Sequence, residues 1–224
     1  MADRLSLQSD KIKYHPNGIT TGGITLDEET KKSSSIGYLA RLSPLKGLDI
    51  LVDAFIELKD SGRHDELALK IAGGMTDDDE PFVEEQRSKL IRAGLSKHFT
   101  ISPNISREEK WTFLKSLSVF SVPVRYPEAF GLYVVEAMLA GTPVVLPDTG
   151  AFPEIIDNTG GGKLYNPETA GSLVEALDEL LSDPVAAKTM GAHAHHSVRK
   201  KYANEKLAET LVQEVVAPIH VNQK

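Results

Sequence analysis

The chain has 224 residues, of which 41% are hydrophobic and 25% charged, with a formal net charge of −7 and no cysteine. This length and apolar content are enough for one domain with a sizeable core, or two small ones. The acidic balance, with no long basic block, argues against nucleic-acid binding through a general phosphate footprint. The absence of thiols excludes disulfides, thiolate zinc sites and cysteine nucleophiles.

Residues 1–34 are polar and contain the turn signal Pro16-Asn17-Gly18, so they read as a lead-in segment outside the core. The opening MADRLSLQSD is polar and of mixed charge, unlike a signal peptide. No apolar run approaches the ~18–20 residues of a membrane span, and the simplest location is the cytoplasm. From Ile36 the chain alternates. Ile36–Ala40 is a short apolar run and a candidate buried strand. Leu48–Lys59 then carries Leu48, Leu51, Val52, Phe55 and Leu58 along one helical face. Leu67–Ala72 is a second strand ending at Gly73-Gly74, and Pro81–Ala93 a second helix stopped by Gly94. Phe99–Ser102 is a third strand. Ser106-Arg-Glu-Glu has the form of a capping box opening a helix to about Lys115.

Val119–Val122 is a fourth strand. The stretch from Glu128 to Ile156 turns on Gly131, continues as an apolar-striped helix carrying Glu136, and leaves through Gly141-Thr142-Pro143 into the strand Val144–Leu146. Lys163–Tyr165 is a sixth strand, and Pro167–Leu181, Pro184–Lys200 and Asn204–Val216 are three closing helices. Strands alternating with helices in this way predict an α/β, Rossmann-like doubly wound parallel sheet of about six strands with extra C-terminal helices. Ligands of such sheets bind beyond the carboxyl ends of the strands. The domain is expected over residues 35–216, with a tail at 217–224.

Two constellations there could carry chemistry. The loop after the first strand sets Arg41 and Lys46 five residues apart just before a helix, where a guanidinium, an ammonium and helix N–H groups would suit a diphosphate. Two solvated surface cations are the plainer alternative. In the second constellation Glu128 lies in a loop and Glu136 on the following helix, and carboxylates so placed could accept hydrogen bonds from sugar or ribose hydroxyls. Three other features read as surface chemistry. Asp77-Asp78-Asp79-Glu80 is a solvated charge run beginning a helix. His193, His195 and His196 form a surface cluster without an acidic co-ligand, so no metal site is expected. Gly73-Gly74 is too short for a dinucleotide fingerprint.

Taken together, these motifs resemble the C-terminal, nucleotide-sugar-binding domain of the retaining "group 1" glycosyltransferases, glycosyltransferase family four, which have the two-domain GT-B fold. Tyr14–Gly18 (YHPNG) resembles the family's I-P-N-G segment. Gly37–Arg41 with Lys46-Gly47 resembles its G-R-x4-K-G element, and Lys70–Gly74 its strand-plus-glycines. Glu128–Gly131 through Glu136, then Gly141–Val144, resembles its E-x7-E signature, followed by Pro153-Glu154. The likeness runs from residue 14 to about 216.

The resemblance implies a hexosyl transfer from a UDP-, GDP- or ADP-sugar, with retention of configuration and without metal or cofactor. By the same likeness Arg41 and Lys46 would hold the diphosphate and Glu128 would sit by the donor sugar, all three taking part in catalysis. Phe130, Gly131 and Leu132 would offer backbone N–H groups, Glu136 would bind the ribose, Ile101–Asn104, with Ser102 and Pro103, would line the base, and Gly73 would contact the substrate. Such enzymes carry an N-terminal acceptor-binding domain of comparable size. Only about a linker precedes the first strand here, so the chain is expected to need that partner domain, and to transfer little alone. The partner domain could also bring a cytoplasmic enzyme to a membrane surface. A non-catalytic nucleotide-sugar-binding module, a regulatory subunit and a GT-B epimerase are the alternative readings.

Overall fold

The computed structural model describes residues 15–26 and 34–216. Among these, six strands form one sheet: β1 (Ser35–Leu39), β2 (Ala68–Gly73), β3 (Phe99–Pro103), β4 (Val119–Ser121), β5 (Val144–Pro147) and β6 (Gly162–Tyr165). Every pairing is parallel and the order is β3-β2-β1-β4-β5-β6, that of a doubly wound Rossmann sheet. β1, β4 and β5 are buried along their whole length, because helices cover both faces. This explains why they read as unbroken apolar runs. β3 lies at one edge and exposes Thr100, Ser102 and Pro103. Pro103 is tolerated there, since an edge strand leaves one row of N–H groups unpaired anyway.

The helices are α1 (Leu48–Asp60), α2 (Glu80–Arg92), α3 (Arg107–Lys115), α4 (Leu132–Leu139), α5 (Phe152–Thr159), α6 (Ser172–Ser182), α7 (Pro184–Lys201) and α8 (Asn204–Leu211), with a π turn at Val212–Val216. The apolar stripe of α1 is buried as its spacing requires, through Leu48, Leu51, Val52, Phe55 and Leu58. Each large apolar side chain removed from water there contributes about 1.5–3 kcal/mol. The capping box of α3 is present: Glu109 N–H donates to Ser106 Oγ at 3.2 Å, and Ser106 N–H donates to Glu109 Oε2 at 2.7 Å. Ser106→Ala is therefore expected to lower the melting temperature by about 2–4 °C, read in a thermal melt. An unchanged melt would show the cap to be idle.

Four expectations need correction here, and one more at the site. Ile19 and Ile24 of the lead-in are buried in the core, not outside it. The backbone around Ile19 bonds on both sides of the α7–α8 junction: Ile19 N–H donates to Tyr202 O at 2.8 Å, and Asn204 N–H donates to Ile19 O at 3.0 Å. A polar, turn-rich composition hid the two isoleucines that anchor it. Tyr14 and the tail at 217–224 lie outside the described residues. Secondly, the helix expected from Pro167 begins at Ser172. Gly171, in a left-handed conformation, precedes it, and Ser172 Oγ donates back to Asn166 O and Thr169 O. Thirdly, α5 was not expected, because Gly160 ends it after only eight residues, too few to show a helical period. Fourthly, His195 is buried, with Nδ1 2.5 Å from Leu139 O, and only His193 and His196 of the three histidines lie at the surface. Burial holds the His195 imidazole below its usual pKa, against the effect of that carbonyl.

Candidate functional site

The strand order reverses between the parallel neighbours β1 and β4, which opens a crevice beyond their carboxyl ends. Two loops face each other across it. The loop after β1 carries Arg41, then a 3-10 turn at Pro44–Lys46 closed by Gly47 in the left-handed region. The loop after β4 runs from Val122 to Gly131, also left-handed, which opens α4. Arg125 braces one loop on the other. Its guanidinium makes a two-pronged bond to Asp49 at 2.7 and 2.6 Å and also reaches Pro44 O, and its N–H donates to Leu45 O at 3.1 Å. The turn that presents Lys46 is thus fixed by sequence-distant groups.

Lys46 Nζ lies 2.5 Å from Glu128 Oε2, with the two side chains 19% and 14% exposed. The same oxygen accepts from Tyr133 Oη at 2.9 Å and Tyr126 Oη at 3.3 Å. The ammonium also sits 5.0 and 5.3 Å from the ring centroids of Tyr126 and Tyr133. Burial opposes both charges. The pairing overrides it, holding the Glu128 carboxyl below its usual pKa and the Lys46 ammonium above its own. Tyr133 is pushed far up, first by burial and then by the Glu128 charge, so it remains a hydrogen-bond donor.

Arg41 stands at the mouth with its side chain 60% exposed, and its Nε lies 3.3 Å from each carboxylate oxygen of Asp79. Glu136, on α4, is ion-paired with Lys110 of α3 at 2.5 Å. Lys110 also lines a cavity of about 480 Å³ with Leu39, Gly73, Gly74, Asn104, Ile105, Ser106 and Arg107. The cavity floor is tied by Asn104, whose side-chain amide exchanges two 3.0 Å hydrogen bonds with the backbone of Met75.

The fold brings Arg41, Lys46, Glu128, Gly131, Leu132, Glu136 and Gly73 to this end of the sheet. Leu132 begins α4 and is 45% exposed, and the first N–H groups of that helix have no partner within it. Phe130 is buried with its ring 5.9 Å from that of Tyr202, so only its backbone can serve a ligand. Ser102 and Pro103 sit on the exposed edge strand, and the cavity is lined by Asn104 and Ile105 beyond them. Tyr126, Tyr133 and Lys110 were not singled out by the sequence. Tyr133 follows Gly131 by two, on the first turn of α4, and this spacing was its one available signal. Asp79 is a correction: it is 7% exposed, not solvated. Its Oδ2 accepts from Thr76 N–H at 2.9 Å and Thr76 Oγ1 at 2.8 Å. Those bonds, and then Arg41, outweigh burial and hold its carboxyl below the usual range. Among the described residues no group of three or more histidines and carboxylates could hold a metal ion, and no helix is long and apolar enough to cross a membrane.

Comparison with known proteins bears on the family and the fold. The chain is 29% identical over 202 residues to the lipopolysaccharide core biosynthesis mannosyltransferase LpcC of Rhizobium leguminosarum bv. viciae, covering 90% of this chain and 56% of that one. It is 28% identical over 216 residues to a GDP-mannose-dependent alpha-(1-6)-phosphatidylinositol monomannoside mannosyltransferase of Mycobacterium tuberculosis, covering 89% and 54%. The chain thus spans about half the length of the curated relatives it matches. Among solved structures it superposes on a sucrose-phosphate synthase of Thermosynechococcus elongatus with a TM-score of 0.81 at 22% identity, covering 98% of this chain and 56% of that one. It also matches the C-terminal domain of a group 1 glycosyl transferase, LpcC, of Francisella tularensis, with a TM-score of 0.71 at 24% identity, covering 84% of this chain and all of that one. These two share the fold. The model of the glycosyl transferases group 1 matches residues 27–197, and the chain belongs to that family.

Proposed function

We propose that this chain is the donor-binding domain of a retaining, metal-independent hexosyltransferase that draws on a nucleoside-diphosphate sugar. The observation that carries the proposal is the Lys46–Glu128 pair, held between Tyr126 and Tyr133 at the reversal point of the sheet, with Arg41 on one side and Glu136 on the other. A diphosphate would lie between the Arg41–Lys46 loop and the start of α4, where cations and helix N–H groups meet its charge. As the bond from sugar to diphosphate breaks, negative charge grows on the leaving phosphate, and Arg41 and Lys46 stabilise it. That phosphate, on the face it leaves, then helps deprotonate the acceptor hydroxyl, so configuration is retained. Glu128 orients the sugar and Glu136 accepts hydrogen bonds from the ribose. Before donor binds, each of these carboxylates is satisfied by a lysine, so the site keeps its charges ordered without ligand.

A mannosyltransferase relative is named as GDP-mannose-dependent, and Anabaena HepE, with which the chain shares the fold at a TM-score of 0.78, was crystallised with UDP and glucose. Both support a nucleotide-sugar donor and leave the base open. We further propose that an acceptor-binding domain completes the cleft, which would exclude water from the donor. The test is a thermal-shift panel of UDP, GDP, ADP and their sugars. At hundredfold excess over its dissociation constant, the correct nucleotide stabilises the fold by about 2.7 kcal/mol, or roughly 5–10 °C. If none of the three diphosphates shifts the melt, the donor site is misassigned. Robust sugar transfer by this chain alone would overturn the need for a second domain.

A further inference from the structure

We infer that Asp79 is the positioning residue for Arg41, so that one residue of the Asp77–Glu80 run belongs to the donor site. The inference rests on the donor-site reading above. Three observations carry it. Asp79 is buried, whereas Asp77, Asp78 and Glu80 are exposed. Its carboxylate is itself fixed: Oδ2 takes both the N–H and the hydroxyl of Thr76, and Asp79 N–H donates to Thr76 O at 2.9 Å. It then engages Arg41 through Nε alone, at 3.3 Å to both oxygens, and no partner bonds the two terminal guanidinium nitrogens among the described residues. A guanidinium held by Nε has its fork directed away from the holder, ready for a second, two-pronged anion. The loops that carry the pair are tied as well, since Leu42 N–H donates to Gly74 O at 2.9 Å and Tyr38 Oη to Arg41 O at 2.9 Å. Freezing an exposed arginine before the ligand arrives reduces the ordering cost of binding.

A carboxylate near an anion site also repels the anion, and this makes the inference testable by sign. The nucleoside diphosphate that most stabilises the wild type (UDP, GDP or ADP) and its parent nucleoside are titrated calorimetrically into wild type, Asp79→Asn, Arg41→Ala and the double variant. Asparagine keeps an acceptor for Thr76. Asp79→Asn is expected to weaken diphosphate binding about tenfold, to leave nucleoside binding unchanged, and to have no further effect once Arg41 is alanine. Tighter diphosphate binding by Asp79→Asn, or an equal loss in the Arg41→Ala background, overturns the inference. Arg41→Lys gives an independent reading that leaves Asp79 intact. A lysine keeps the charge but cannot bridge Asp79 and a diphosphate, so its affinity should fall close to that of Arg41→Ala, and wild-type affinity would refute the positioning role. If the wild type binds no nucleoside diphosphate, the donor-site reading itself fails. If it binds and Asp79→Asn binds the diphosphate as tightly as the wild type does, only Asp79's role fails.

Discussion

Lys46→Met is expected to remove diphosphate binding from the chain and, in an enzyme completed by the proposed acceptor-binding domain, to lower kcat by about 10²–10³-fold, the usual consequence of losing one donor to developing charge. Methionine keeps an unbranched stem between Tyr126 and Tyr133, so the substitution isolates the ammonium from the packing. The unliganded protein should report the same loss through its pH dependence. The Glu128 carboxyl is depressed in the folded state, so its contribution is present above the unfolded value of about 4.3 and fades as pH falls through the folded one. The Lys46 ammonium is raised, so its contribution is present below about 10.4 and fades as pH rises through the folded value. The pair therefore supports the fold between those limits. Both side chains keep some contact with solvent, which places the cost of breaking the pair near neutral pH at about 1–2 kcal/mol. Urea unfolding of wild type and Lys46→Met should show that gap at pH 7 and a smaller one at pH 3.5. A gap that does not depend on pH, or a variant that still binds the diphosphate, would separate Lys46 from the role given to it.

Lys46, Glu128 and Arg41 were legible in the sequence because their motifs are local. A strand, a short loop and a helix start fix where each backbone goes, and apolar runs such as Val144–Leu146 reveal the strands that carry them. What the sequence left hidden depends on partners far along the chain. The tyrosine pair around Lys46 comes from a loop residue and a helix residue of another unit. Asp79 looks like its acidic neighbours until the turn at Thr76 rolls it inward. Ile19 needs the α7–α8 junction, more than 180 residues away, to have anything to pack against. Secondary structure follows from period and punctuation, whereas burial of a polar residue follows from what the topology places beside it.

Gly73→Ala should be the most damaging single-methyl change at the site, and its neighbour supplies the control. Gly73 ends β2 at φ +144°, a conformation that side-chain-bearing residues rarely adopt, and an added Cβ would stand 1.7 Å from Ala40 O. Nothing can yield there except backbone, because Ala40 follows β1 directly and leads into Arg41. Gly74 is exposed, and a Cβ on it would meet nothing within 4 Å. Backbone strain and overpacking together are expected to cost Gly73→Ala about 2–4 kcal/mol, roughly 5–15 °C in melting temperature, while Gly74→Ala stays within about 0.5 kcal/mol. The two variants differ by one position and alter the same cavity wall. Equal melts would mean that the loops after β1 and β2 move apart freely. Unequal melts, with diphosphate affinity falling alongside stability only in Gly73→Ala, would mean that the close approach of Gly73 to Ala40 is what sets Arg41 where Asp79 can hold it.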